Sequence, residues 1–490
     1  MTSTFNSNNY PFKNLEPKLV WKHFAAISLI PRQSKHEKAI VAYLKNWADQ
    51  QNLENLIDTG GNLIIRKPAS IGHEHSPGII LQGHLDMVCQ KNEGIEHDFS
   101  KDPICPQVTG NIVTANNTTL GADDGIGIAL ALAILEDKTL VHGPIETLFT
   151  VDEEEGMGGA NNLQTGILQG KILLNLDSET WGEFCIGCAG GLDVNVSREH
   201  QSDNISSNMK TIQINISNLR GGHSGVNIHE GRGNAIKLLV RLLTAINQTI
   251  PFQLSSLFGG TARNAIPREA SAVIALPPEN LTSLKQLLQT YQAIYRNELA
   301  GIDNAILISS KDISASTVMS ALDQQLWLNS LNAAPHGVWR MSSSIPGAPE
   351  TSNNIGIVNL QADKGSCIFM VRSTIDSACE ALANEIVSLF ALSKTSAKKE
   401  NGYPGWEPHF DSPILKICKE VYQSVFHESP STHIFHAGVE CGILKAKYPI
   451  LDAISFGPTI HNPHSPKESL EIDTVEKAWK LLVAILKAVA

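Results

Sequence analysis

The sequence predicts an α/β domain interrupted by an inserted α+β domain. Three observations lead there. Short β-branched strands alternate with apolar helices over 1–190, which implies a sheet with helices on both faces. Over 191–399 the strands change to period-two alternation, the mark of half-exposed antiparallel sheet. After a polar stretch, 400–490 returns to the first pattern, so 1–190 and 400–490 are expected to form one discontinuous domain around the insert.

The elements follow in order. Lys18 to Ala26 and Ser34 to Gln51 carry apolar residues at helical spacing. Gly61 to Arg66 and Gly78 to Gln82 (GIILQ) read as strands, Gly125 to Glu136 as an apolar helix, and Pro144 to Val151 and Ile172 to Leu176 as buried strands. In the insert, the expected order is strand 210–217, helix 234–247, strands 253–257 and 270–275, and helix 280–298. Strand 305–309, helix 316–332, strands 354–360 and 367–373, and helix 376–392 follow. These are two strand-helix-strand-strand-helix units, 209–300 and 304–395, and imply a structural duplication. Thr395 to Gly405 is polar with Gly402, Pro404 and Gly405, and is expected to be a linker. Helix 413–425, strand 450–456 and helix 469–490 complete the chain.

Composition narrows the function. The 490 residues include 38 Lys+Arg and 49 Asp+Glu, a net charge of −11. Such an acidic balance argues against a general nucleic-acid binder. No run of 18 apolar residues occurs, so no membrane span is expected. The start, Met1 to Asn14, is polar and lacks the apolar core of a secretory signal. The eight cysteines are too sparse for a disulfide framework, and the one C-x-x-C, Cys185 and Cys188, has no second ligand pair nearby. A cytoplasmic location is expected.

Five segments place acids and imidazoles directly after predicted strands. They are Gly83-His84-Leu85-Asp86-Met87, Thr119-Leu120-Gly121-Ala122-Asp123-Asp124-Gly125, Asp152-Glu153-Glu154-Glu155-Gly156, Asn175-Leu176-Asp177-Ser178-Glu179, and Phe456 to Pro466 with His461 and His464. Each alone has a plainer explanation: an H-x-D can be a structural histidine, and an Asp before a helix can be a cap. Four consecutive acids usually form a solvated face, but here they end an apolar strand, where a divalent cation would offset their repulsion. Beyond a strand, alternation turns His84 and Asp86 to one side. One His, Asp, Glu, Asp and His at strand ends suit two divalent ions sharing a carboxylate, with zinc favoured by the mixed N/O donors and manganese or cobalt as alternatives.

These segments, in this order, resemble the dinuclear-zinc exopeptidases, a family that includes carboxypeptidase G, succinyl-diaminopimelate desuccinylase, peptidase T and carnosinases. GCAGG (187–191), GGHSG (221–225), NAIPREA (264–270) and HAGVECG (436–442) extend the likeness, which is most specific to the aminoacyl-histidine dipeptidases, over nearly the whole chain. The resemblance implies a zinc-exopeptidase-like catalytic domain of mixed sheet between helices, with the insert as a lid. It implies hydrolysis of unblocked, Xaa-His (carnosine-like) dipeptides, with a di- or tripeptidase or an N-acyl amino acid deacylase as alternatives. A catalytically silent binding protein is the rival from another class.

By the same resemblance His84 and Asp177 would hold one ion, Glu154 and His464 the other, and Asp123 would bridge, with a cis peptide following it. Asp86 would orient His84. Glu153 would be the general base, Glu155 would occupy the variable position, and His461 would be a bystander. In the lid, His223 would support the scissile carbonyl oxygen, Asn264 and Arg372 would hold the substrate carboxylate, and Glu440 would meet the free amine. The resemblance implies a small peptide as substrate, and smaller relatives pair through a single-unit lid. Since this insert is about twice that length, a homodimer is expected not to be required for catalysis.

Overall fold

A computed structural model of the chain describes residues 11–490. They form two compact units: one of residues up to Gly187 with Pro408–His433 and Val439–Ala490, the other of Cys188–Glu407 with Ile434–Gly438.

The first unit is built on an eight-stranded sheet. At its centre Ile145–Thr150, Ile79–His84, Ile172–Asn175 and Asp452–Ser455 run parallel in that spatial order. The first two are buried at every position, which is why they read as continuous apolar runs and not as alternating ones. Leu63–Lys67 and Glu54–Ile57 extend one side antiparallel. Helix Ala122–Glu136 is buried along nearly its whole length and packs in a core with Phe24, Ile40, Leu81 and Leu482. Parallel strands end on one edge, so the loops after His84, Thr150, Asn175 and Ser455 converge there.

The second unit is a nine-stranded antiparallel sheet in the order Leu307–Asp312, Lys210–Ser217, Ala270–Leu276, Gln253–Gly259, Pro349–Leu360, Lys364–Ser373, Gly190–Glu199 and Ser396–Tyr403, with Gly337–Met341 paired to Pro349–Leu360 off this path. Two halves meet where Leu257 faces Leu360 and Gly259 faces Val358. Outward from that seam the strands mirror one another, and each half carries two helices: Ala235–Thr249 and Leu281–Glu298, and Ala321–Ala333 and Asp376–Leu392.

The duplication is therefore present, but its halves do not divide into 209–300 and 304–395. Leu307–Asp312 returns to pair with Lys210–Ser217 at the edge of the first half. The strand that opens the second half is Gly190–Glu199, paired with Lys364–Ser373 from Gly190↔Ser373 to Glu199↔Lys364. The first half is thus inserted inside the second, after its first strand. Periodicity identifies strands but not partners, which is why the sequence alone misplaced the division. The expected linker after Thr395 is likewise a strand, Ser396–Tyr403, added beside Gly190–Glu199. Its sequence, SAKKENGY, is charged because it is an edge, where lysines discourage pairing with other chains.

Candidate active site

All five ligand-bearing segments of the first unit meet at the carboxyl edge of its parallel strands. His84 is the last residue of its strand and is buried. Its Nε2 lies 3.0 Å from Asp123 Oδ1 and 3.4 Å from Asp177 Oδ1. On the other side, His464 Nε2 lies 2.9 Å from Asp123 Oδ2 and 3.1 Å from Glu154 Oε2. Asp123 thus offers one oxygen to the Nε2 of each of two imidazoles, and each Nε2 also meets one further carboxylate. The other Glu154 oxygen, Oε1, is buried with no hydrogen-bond partner among the described residues, and ligand atoms of His84, Asp123 and Glu154 lie within 4.8 Å of one another. Two His-carboxylate pairs sharing a central carboxylate fit two divalent cations.

The electrostatics agree. Burial works to raise the Asp123 carboxyl, but His464 and His84 hold it well below the usual carboxylate range. Burial pushes Asp177 up to about 6, against the pull of His84, and pushes Glu179 up to about 8 with repulsion from Asp123 and Asp177. His464 is raised to about 11 by its contacts with Asp123 and Glu154. Such a cluster holds more acid than it can ionise unaided, and dications would stabilise the ionised forms.

The structure separates the four consecutive acids. Glu155 is exposed and pairs with Lys35 at 2.8 Å. Asp152 has a left-handed φ of 54° and turns the chain out of the strand. Glu154 faces His464, and Glu153 makes neither contact. Burial raises the Glu153 carboxyl well above its ordinary value, with Asp177, Glu440 and Glu154 adding to the rise and His84 opposing it. Asp86 meets four neighbours: its Oδ1 lies 3.5 Å from His84 Nδ1 and accepts from Glu153 N at 3.0 Å, while Oδ2 accepts from Glu154 N at 3.1 Å and Ser34 Oγ at 2.8 Å. Burial alone would raise Asp86, yet these donors hold it down to about 2.

The Asp123-Asp124 peptide is cis. The Asp124 carboxylate tucks beneath it, accepts from His84 N, and occupies space that a Cβ on Gly83 or Gly127 would take. These two glycines therefore pack closely around a polar centre. His461 turns away and pairs with Glu471 at 2.7 Å.

Glu440 is the remaining acid of the first unit that the resemblance singled out. It opens helix Glu440–Lys447, is fully buried, and its Oε2 accepts from Gln82 Nε2 and Thr150 Oγ1, each at 2.6 Å. Its other oxygen, Oε1, is buried with no hydrogen-bond partner among the described residues.

The second unit gathers the remaining residues. His223 lies on a two-residue strand opposite Ala265, beside Asn264, which is exposed and whose backbone oxygen accepts from Ser224 N at 2.8 Å. His223 Nδ1 accepts amide protons from Gly225 and Val226 at 3.2 and 3.1 Å. Burial, reinforced by Arg372, lowers the imidazole to about 4. A neutral ring whose Nδ1 accepts must carry its proton on Nε2, leaving that atom a donor. The Nε2 approach to Arg372 Nη2, at 3.4 Å, then joins two donors and is a contact rather than a bond. Arg372 is buried; its Nη1 donates to Tyr403 Oη at 2.7 Å and its Nε to Ser224 Oγ at 3.3 Å. Among the described residues no carboxylate pairs with it, and a buried guanidinium without a counter-ion is suited to receive an anion.

Two residues beside this cluster escaped the motif reading. Glu468 lies four positions beyond His464, and an acid so near that histidine was a signal. Arg32 follows Pro31 in a polar stretch with nothing to mark it.

Residues 214–303 match the family described as peptidase dimerisation domain. The chain is 42% identical over 476 residues to the cytosol non-specific dipeptidase of Escherichia coli K12, covering 97% of this chain and 98% of that protein. Its fold superposes with a TM-score of 0.89 on the aminoacylhistidine dipeptidase of Vibrio alginolyticus, at 42% identity and covering 99% of each chain. The fold, at 18% identity, also matches the aminopeptidase PepT of Bacillus cereus with a TM-score of 0.57, over 97% of this chain and 99% of that one. With that overlap, and a strand-edge cluster built for two ions, the chain belongs to the M20 family of metallopeptidases.

Proposed function

We propose that the protein is a cytoplasmic dipeptidase that hydrolyses unblocked dipeptides, with Xaa-His substrates such as carnosine preferred and zinc as the bound metal. The observation that carries the reading is Asp123, whose two oxygens face His84 and His464 separately. His84 and Asp177 would hold one ion, Glu154 and His464 the other, with Asp123 shared. Bound there, two divalent ions would polarise the substrate carbonyl and acidify a water molecule. Glu153 takes the proton of the attacking water as its oxygen bonds to the carbonyl carbon, and returns it to the nitrogen as the C–N bond breaks. Asp86 holds His84 by Nδ1 and the backbone of Glu153 and Glu154. His223 Nε2–H would donate to the carbonyl oxygen as negative charge develops. Arg372, with Asn264 near, would hold the terminal carboxylate. The names of the E. coli and Vibrio proteins support the substrate class and the location.

A dipeptide panel assayed on the zinc-loaded protein, with N-acetylated controls, tests the reading. Unblocked dipeptides are expected to be cleaved and acetylated ones spared. Equal cleavage of acetylated substrates would point to a deacylase, and no cleavage to a binding protein.

Arg372 yields a sharper test. Amidating the dipeptide's C-terminus is expected to lower kcat/KM of the native enzyme by about 10–100-fold, the worth of a charge-assisted bond of about 1.5–3 kcal/mol, and to matter little in Arg372→Ala. Equal losses in both would remove Arg372 from the contact. Dimerisation is not required in this reading, so activity per chain is expected to stay constant on dilution through any dimer-to-monomer transition seen by light scattering.

A further inference from the structure

Glu468 is 2% exposed, yet among the described residues it makes no ion pair with a basic side chain. Its carboxylate instead accepts four consecutive main-chain N–H groups. Oε2 takes those of Leu120 and Gly121 at 2.7 and 3.0 Å, and Oε1 those of Ala122 and Asp123 at 2.7 and 3.3 Å. These open helix Ala122–Glu136, whose N-cap is Gly121 in a left-handed conformation with no side chain to cap it. The missing cap is supplied from about 345 positions away in the sequence, by the segment that carries His464.

That connection has a second end. His464 sits at a left-handed φ of 59° with its side chain half exposed, and its described side-chain partners are Asp123 and Glu154. Opposite Glu468, the buried Arg32 donates to the carbonyls of Leu85, Asp86 and Gly121. The Gly121 segment is therefore held through its N–H groups by Glu468 and through its carbonyl by Arg32, while Arg32 also grips the end of the His84 strand.

We infer that Glu468 is a positioning residue that fixes the distance between His464 and Asp123, and that it thereby sets affinity for the ion held by His464 and Glu154 more than for the ion held by His84 and Asp177. This rests on the ligand assignment proposed above. Arg32 also grips the carbonyls of Leu85 and Asp86 beyond the His84 strand, which Glu468 does not touch, so the two ions are expected to respond unequally when Glu468 is changed.

The test is zinc titration by calorimetry into chelator-stripped protein, comparing native, Glu468→Gln and His464→Ala. In Glu468→Gln one oxygen becomes an NH2 group, which cannot accept and faces two N–H donors. Expected are two tight sites in the native protein, one in His464→Ala, and one tight plus one weakened about 10–100-fold in Glu468→Gln, the usual range for groups that orient ligands. A merely structural role would weaken both sites together and lower the thermal midpoint of the stripped protein. Parallel weakening, or two native-like sites, would overturn the inference. Two tight sites in His464→Ala would instead refute the ligand assignment. If Glu468→Gln does not fold, Glu468→Asp is read in the same way; its charge is kept but its reach is one methylene shorter. The same selective loss is expected there, and native-like binding of both ions would overturn the inference.

Discussion

Glu153→Ala is expected to keep two divalent ions per chain and to lose kcat by about 10²–10⁴-fold, the usual worth of a positioned general base. The separation of the four acids underlies this. Glu154 is engaged with His464 and Glu155 with Lys35, so removing Glu153 leaves every proposed ligand in place. Its raised carboxyl suits a group that must accept a proton and release it again. KM is expected to change far less than kcat. Elemental analysis alongside steady-state kinetics checks both halves. Near-native turnover, or loss of metal, would reject Glu153 as base.

Asp123→Ala is expected to behave in the opposite way, losing both ions and activity together. One carboxylate facing two imidazoles cannot be removed from one site without the other, and the loss leaves the Nε2 atoms of His84 and His464 with one carboxylate each. Dialysed protein is expected to contain less than one ion per chain. Full occupancy would contradict a shared carboxylate.

The catalytic unit was largely readable from sequence because parallel buried strands leave continuous apolar runs, and because the chemistry stands directly after them. GIILQ followed by His84, and PIETLFTV followed by the four acids, needed no partner information. The lid was harder. Gly190–Glu199 begins with two glycines, and Ser396–Tyr403 is nearly all polar, so neither has the composition of a strand; each is one because a neighbour pairs with it. Glu468 binds backbone N–H groups, which every residue but proline possesses, so no side-chain pattern could reveal its target.

The nested order of the lid has a consequence during synthesis. The inner half, 210–312, contains the partners of most of its own strands and can pair as it leaves the ribosome. Strand Gly190–Glu199 cannot, because its first partner begins at Lys364, 165 residues after Glu199 (364 − 199). The catalytic sheet waits longer still: Asp452 pairs with Ile172 across 280 residues (452 − 172). Closure entropy rises only slowly with such lengths, so the delay costs time more than stability. His464 follows that last central strand, so a nascent chain that has not reached it lacks one of the residues proposed to hold the second ion.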